Sequence, residues 1–533
     1  MDGGRSGAGA PSGDGGTTPA DAGAGAEISP AAPSGRQAAS EGGAPVPERP
    51  PGREVARKGA PAPEKVGSQV GSHAAPRPAP IVAITSHADG QRVIGGRSVV
   101  LEGTLSARER IASVTVSHDG AIHPAEFTQT TFRLRLDLAT GRNAIAVTAR
   151  DEAGGTGTAS VSLHLAILSL RTFQPAAIVI GQKDFVNRQQ GAPPGPGTLR
   201  QPYGSPAAYR GTLYLPDLGN NRILGFRRFP TMNGAAADFV LGQAGFGEDA
   251  FGSGRDRMRA PLTVRAFGGK LFAVDHFNHR VLIWNEAPTG NAPADVVIGQ
   301  GEFGAGASGS CAADRLYVPM SLYVIAGKLL VSDSHHDRIL VWDTIPSRSG
   351  APADLVLGQP DLTTCSGDGG APSARTLHRP GDLWSDGTRL VVADQQNHRV
   401  LVWNALPTRN QAPADVVLGQ AGMDARAADT TAGTLRRPMF VTVSEGQLFV
   451  SDHENNRVLV WDRLPAASGT PADAVLGQGD FTHGARNDDD QDGRPDAYPN
   501  ARTLSGPAGL LVTAQGLLVA DEGNDRVLLF KAR

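Results

Sequence analysis

Charge of one sign is scarce in this chain: 50 Lys and Arg stand against 53 Asp and Glu, a formal net charge of −3. Without a basic excess no nucleic-acid partner is expected, and only a local basic face would supply one. Long apolar runs are missing too. No segment has the length of a transmembrane helix and no secretory hydrophobic core follows Met1, so neither a membrane span nor a signal peptide is read. Local catalytic motifs are also absent: there is no His-Glu-x-x-His, no Gly-x-Ser-x-Gly and no Gly-x-x-x-x-Gly-Lys-Ser/Thr. This lowers an enzyme reading without removing it, because a site assembled from separate segments leaves no local motif. Aromatic residues make up 5% of the chain and cysteines number two. The ordered part is still long enough to bury independent cores.

What is present is a repeat. The pattern Asp-x-x-Asn-x-Arg precedes a Val/Leu-rich run at Asp217, Asp275, Asp333, Asp394, Asp452 and Asp521, at spacings of 58 to 69 residues. A period of this size, with strands in every unit, marks a repeat architecture. The fourth copy shows a whole unit: Leu377-His-Arg-Pro380, Leu390-Val-Val-Ala-Asp394, Asn397-His-Arg399-Val-Leu-Val-Trp403 and Ala414-Asp415-Val-Val-Leu-Gly-Gln420. Each piece is short, β-branched or Leu-rich, and bounded by Gly, Pro, Asn or Asp, as strands and their turns are. Six units of four strands predict an all-β chain with a six-bladed β-propeller over residues 175–533. The recurring aspartates are read as structural, since Asp and Asn at turns bond nearby backbone N–H groups. Arg222, Arg280, Arg338, Arg399, Arg457 and Arg526 then pair with a neighbouring carboxylate. Trp284, Trp342, Trp403 and Trp461 are read as packing between blades.

The phase of the repeat predicts how the ring closes. Ile178-Val-Ile-Gly-Gln182 is an outer strand with no blade before it, and the last unit stops at Arg526-Val-Leu-Leu-Phe530 without one. The first strand is therefore expected to pair onto the last blade, which removes two exposed sheet edges.

The run Leu-x-Val-Ala-Asp-x-x-Asn-x-Arg-Val-Leu-Val-Trp resembles the NHL repeat, in register over six copies. Copies one and three depart from it: Pro216 precedes Asp217, and His336-Asp337-Arg338 replaces Asn-x-Arg. The resemblance implies a six-bladed propeller but no single activity, because the family includes RNA-binding and protein-binding modules and metal-dependent lyases. The amidating lyases of that family carry zinc histidines as Pro-His-x-Leu after the opening proline of a blade. Here those positions read Pro202-Tyr, Pro261-Leu, Pro319-Met, Pro380-Gly, Pro438-Met and Pro507-Ala, so those catalytic residues are not carried over.

Function is expected where the copies differ, on the face that carries the Asp-x-x-Asn-x-Arg turns and the long crossovers. His276, His279, His335, His336, His398 and His453 lie in these turns. They either bring imidazoles from several blades onto a transition metal or are tolerated polar turn residues. Cys311 and Cys365 fall in consecutive crossovers of this face, as a disulfide or as two free thiols.

The longest crossover reads Asn-Asp-Asp-Asp-Gln-Asp-Gly-Arg-Pro-Asp-Ala over residues 487–497. Asp488, Asp490, Asp492 and Asp496, with the carbonyl of Arg494 and a turn at Gly493, have the spacing to wrap a hard cation. The loop resembles the calcium loops of thrombospondin type 3 repeats, and it departs from an EF-hand in having Pro499 at position 12. A structural Ca2+ is expected and no organic cofactor.

Upstream, residues 79–165 alternate apolar and polar positions, as in Phe132-Arg-Leu-Arg-Leu136 and Asn143-Ala-Ile-Ala-Val-Thr-Ala149, and read as a β-sandwich. With Ile84-Thr-Ser-His-Ala-Asp-Gly90 the segment resembles bacterial Ig-like domains. Residues 1–78, rich in Ala, Gly, Pro and Ser, cannot bury enough apolar surface to order and read as a disordered tether. The sequence thus reads as a non-catalytic binding or scaffold protein of the bacterial exterior, its loop face contacting a protein or glycan. The alternative is a metal-dependent lyase or hydrolase with its site on the propeller axis.

Overall fold

The computed structural model describes residues 78–93, 98–118, 120–138, 141–165, 168–188, 193–305, 309–367 and 371–532. All of the expected disordered tail except Pro78 lies outside the described residues.

Strands between Ile81 and Leu165 form one four-stranded and one five-stranded sheet. Alternate residues of each strand point inward. Leu101, Phe132 and Leu136 of one sheet therefore meet Val116, Ile145, Val147 and Leu163 of the other in a shared core.

Residues 178–530 build six four-stranded antiparallel sheets, the arrangement of a β-propeller. In the second, Pro261–Phe267, Lys270–Asp275, Arg280–Trp284 and Val296–Ile298 pair in sequence order. Arg280–Trp284 is buried at every residue. A strand whose sheet is covered on both faces needs apolar side chains on both, which is why the repeat reads as a continuous Val/Leu run rather than an alternating one. The indole N–H groups donate to loop carbonyls, Trp284 to Ala292 at 2.9 Å and Trp403 to Ala412 at 3.0 Å.

The Gly-Gln pair that ends each unit has a steric origin. Gly419 sits at φ +85°, and a Cβ there would lie 2.5 Å from Leu435 Cδ1 of the next unit; glycine alone fits such a backbone without strain. Gln420 Nε2 then donates to the carbonyls of His398 (2.9 Å) and Ala427 (2.7 Å), tying the turn to the crossover.

The last sheet is completed from the other end of the repeat region. Ile178, Val179 and Ile180 pair antiparallel with Leu529, Leu528 and Val527. Further bonds lock the junction: Arg526 Nη1 to the Phe185 carbonyl at 2.5 Å, Gln182 Nε2 to the Asp525 carbonyl at 3.1 Å, and Gln174 Nε2 to the Lys531 carbonyl at 2.8 Å. Inner strands touch as well, with Gly509 N–H donating to the Tyr203 carbonyl at 2.9 Å.

Candidate functional site

The recurring Asp, Asn and Arg form a buried brace. In the fourth unit Asp394 Oδ1 accepts from His378 N–H at 2.7 Å, and Oδ2 accepts from Asn397 Nδ2 at 2.9 Å and Arg399 Nε at 2.8 Å. The rest of the guanidinium donates to the carbonyls of Met423, Ser373 and Thr376. All six Asp–Arg pairs are fully buried, with every charge met by several hydrogen bonds, as burial of an ion pair demands. The departure in the third copy keeps the bond: His336 Nδ1 donates to Asp333 Oδ2 at 2.9 Å, in place of the asparagine amide.

Each brace encloses a 3-10 turn capped by a left-handed residue: Asn221, His279, Asp337, His398, Asn456 or Asp525. The turn begins with the residue right after the aspartate. Those residues are Leu218, His276, Ser334, Gln395, His453 and Glu522, and five of the six line one cavity of about 360 Å3. A second ring comes from the residue before each opening proline, where Gln201, Arg379 and Arg437 reach the cavity. A third comes from the residue after it, where Tyr203, Leu262, Met320 and Met439 make an apolar wall. All six units contribute, which places the cavity on the propeller axis.

Further along the inner strands the axis is closed by a buried polar cluster. Asp382 accepts from Ser205 Oγ at 3.2 Å, Ser321 Oγ, Leu383 N–H at 2.9 Å and Arg265 Nη2 at 3.2 Å, joining four units.

The turn histidines do not form a metal centre. His276 Nδ1 lies 2.8 Å from the Pro319 carbonyl and His453 Nδ1 3.1 Å from that of Pro507. A carbonyl only accepts, so these nitrogens carry the proton. His279 and His398 do the opposite, their Nδ1 atoms accepting from the N–H groups of Val318 and Arg437. Burial lowers His276 to about 4 and holds His335 below its ordinary value. Among the described residues the single group of three or more side chains placed to hold a metal is Asp488, Asp490 and Asp496. Of the two readings of these histidines, the geometry favours polar turn residues: His276 and His335 line the cavity, His453 stacks edge-on against Tyr203 at 5.8 Å, and His336 belongs to the brace.

The acidic loop gathers three of the four candidate carboxylates, Asp488, Asp490 and Asp496, with ligand oxygens within 4.8 Å of one another. Asp492 stands apart from the group, its Oδ1 accepting from Arg494 N–H at 2.8 Å. Gly493 N–H donates to Asp488 Oδ2 at 3.0 Å, and Asp489 N–H to Asp496 Oδ2 at 2.9 Å. Cys311 and Cys365 are joined as a disulfide across neighbouring crossovers, with Cα atoms 5.9 Å apart.

Glu522 is the residue that sequence reasoning missed. It is half-buried, the single carboxylate side chain lining the axial cavity, and burial, then the charges of Asp525 and Asp521, push it up to about 7. The residue before the proline in its unit is Gly506, where a Cβ would stand 3.2 Å from Glu522 Oε2. Glycine there keeps the carboxyl uncovered. The signal was the one position after each repeat aspartate, where six different copies carry five different side chains.

No family model matches the chain, and no curated protein matches it. Solved structures do. It is similar to an aldose sugar dehydrogenase from Streptomyces coelicolor in its PQQ-bound form, at 14% identity and TM-score 0.36, over 64% of this chain and 96% of that one. A candidate glucose dehydrogenase from Thermus thermophilus aligns at 15% identity and TM-score 0.35, over 64% and 98%. A candidate 6-phosphogluconolactonase from Bacteroides uniformis aligns at 14% and 0.34, over 73% and 87%. These neighbours are described as enzymes. The expectation of a non-catalytic binding face is corrected on the site itself: the loop-rich face opens into an axial cavity lined by a half-buried carboxyl pushed up to about 7. At such identities no activity passes from them to this chain. Among the described residues no helix is long and apolar enough to cross a membrane.

Proposed function

We propose that the chain is an acid–base enzyme acting on a small molecule in the axial cavity, with Glu522 as the group that exchanges protons with the substrate. One observation carries this reading: a carboxyl held near neutrality inside a concave site lined by every unit. A catalyst that titrates near the working pH can both take and give a proton, and perturbed carboxyls in clefts mark functional sites. The cavity volume lies within the usual range for small ligands. His276 and His335, kept neutral by burial, leave imidazole nitrogens able to accept hydrogen bonds from a bound substrate. Incubation of the protein in D2O with pools of small organic acids, lactones and carbonyl compounds, followed by proton NMR, tests it. Deuterium incorporation or turnover is expected with the wild type and a loss of about a hundredfold or more with Glu522→Gln; equal behaviour of the two proteins ends the proposal.

The scaffold is proposed to be a six-bladed NHL-type propeller carried behind an Ig-like sandwich spanning residues 79–165. The repeat motif and the four-stranded sheets support the first, and the two-sheet core the second. We further propose an extracytoplasmic setting, supported by the Cys311–Cys365 disulfide, since such bonds persist in oxidising compartments. A structural Ca2+ on Asp488, Asp490 and Asp496 is supported by their convergent hard oxygens. Elemental analysis of protein purified with Ca2+ and without chelator is expected to find about one calcium per chain, lost in Asp488→Ala/Asp490→Ala; equal metal content in the two proteins rules the site out.

A further inference from the structure

Arg379 and Arg437 occupy the position before the opening proline in the fourth and fifth units, the fifth lying next to the unit that carries Glu522. Their backbones are pinned at positive φ, +48° and +53°. Each N–H is tied to the cap residue of the preceding unit: Arg379 to Asp337 Oδ1 at 2.7 Å and Arg437 to His398 Nδ1 at 3.0 Å. The main chain thus holds both side chains at the cavity while their guanidinium groups remain underused. Among the described residues the Arg379 guanidinium has no hydrogen bond or ion pair. Arg437 Nη1 reaches Glu454 Oε1 at 3.3 Å, but that carboxylate already pairs with Arg436 at 3.2 Å, and Arg437 Nε is buried with no partner.

The buried Nε of Arg437, left without an acceptor, carries a desolvation cost that a bound ligand can relieve, whereas the exposed Arg379 side chain keeps its donors open to a ligand. The site's own carboxyl, raised to about 7 by burial, offers these cations little countercharge below that pH. The same cavity has an apolar and partly aromatic part of its wall: Tyr203, Leu262, Met320 and Met439. A planar fork of donors matches carboxylate and phosphate oxygens, and an apolar wall suits a hydrocarbon body.

We propose that the axial cavity takes a small organic anion, its carboxylate or phosphate held by Arg379 and Arg437 and its apolar body resting on Tyr203, Leu262, Met320 and Met439. This deepens the acid–base reading, on which it rests for the site's purpose but not for its binding chemistry. Glu522, on the adjacent unit, would then meet the substrate beyond its anionic end.

Calorimetric titration of the full chain with phenylacetate, phenyl phosphate and neutral phenylacetamide tests the inference. Arg379→Gln, Arg437→Gln and Glu522→Gln are compared with the wild type, each with its melting curve. At least one anion is expected to bind one site per chain, and phenylacetamide about tenfold or more weakly. Either arginine variant is expected to lose about tenfold in affinity for the anion, and Arg379→Lys to recover part of it. The preferred head group distinguishes carboxylate from phosphate. Equal affinity for phenylacetate and phenylacetamide, or no binding of either anion, or unchanged binding in both arginine variants, overturns the anion site. Glu522→Gln separates the two proposals: if it binds the anion yet exchanges deuterium like the wild type, the acid–base reading falls and the anion site stands.

Discussion

Glu522 pairs a stability cost with its proposed chemistry. Its carboxyl has an ordinary value of 4.5 and is pushed up to about 7 in the folded chain. Below pH 4.5 the group is neutral whether the chain is folded or not. As pH rises from 4.5 to about 7 the unfolded chain ionises while the folded chain holds its proton, so this residue's contribution to stability declines across that window and stays lower above it. Glu522→Gln removes the titration. The variant is expected to match the wild type in urea unfolding at pH 4 and to exceed it by roughly 1–2 kcal/mol at pH 8, the shift being discounted for partial exposure. Identical pH dependence in both proteins would place the carboxyl in ordinary solvent. A gain in stability on removing a site residue is the usual trade between stability and activity. His276 is the converse case, a buried imidazole lowered to about 4, and it contributes stability above pH 6.5 that is lost as pH falls toward 4.

At the scale of elements, one strand–turn–strand motif serves both structure and function. The brace fixes the turn: Asp217 and its five counterparts each accept three hydrogen bonds, and the arginine five residues on closes the loop onto carbonyls of two crossovers. With the backbone secured, the residue right after the aspartate is free to vary, and in five of the six units it lines the axial cavity. The histidines show how context sorts one residue type into several roles. At the first turn position, His276 and His453 donate from Nδ1 to a carbonyl; at the cap, His279 and His398 accept from an N–H; at the third position, His336 replaces an asparagine. A metal needs several imidazole lone pairs at one point, and these backbone bonds hold the rings apart. The crossovers are stiffened by other means, the disulfide between Cys311 and Cys365 in one pair and the carboxylate loop around Asp488 in the longest.

At the scale of the molecule, closure is decisive. The ring has one seam, where Ile178–Ile180 from the start of the repeat region completes the sheet that ends at Phe530. Deletion of residues 175–183 removes four buried apolar side chains, Ala176, Ile178, Val179 and Ile180, worth roughly 5 kcal/mol or more on burial, and exposes the edge at Arg526–Phe530. A lower, broader melting transition and concentration-dependent association are expected; an unchanged melting curve would show that the seam contributes nothing. The axial cavity depends on this closure, because Gln201 and Tyr203 lie on one side of the seam and Glu522 on the other. Asp382 and its partners from the first three units close the axis below, so that the cavity has a floor.

The repeat period, the strand runs, the seam and the bracing role of Asp394 and Arg399 were all legible from residue order, because local patterning and register are properties of contiguous sequence. Spacing alone brought Asp488, Asp490 and Asp496 into one loop for the same reason. The tertiary structure alone decided that Glu522, Arg379, Arg437 and Tyr203 share a cavity: they are drawn from separate units, hundreds of residues apart at the extremes, and become neighbours only when the ring closes. It also decided their chemistry, since the raised carboxyl of Glu522 and the unmet Nε donor of Arg437 follow from burial and partner geometry, which no linear motif encodes.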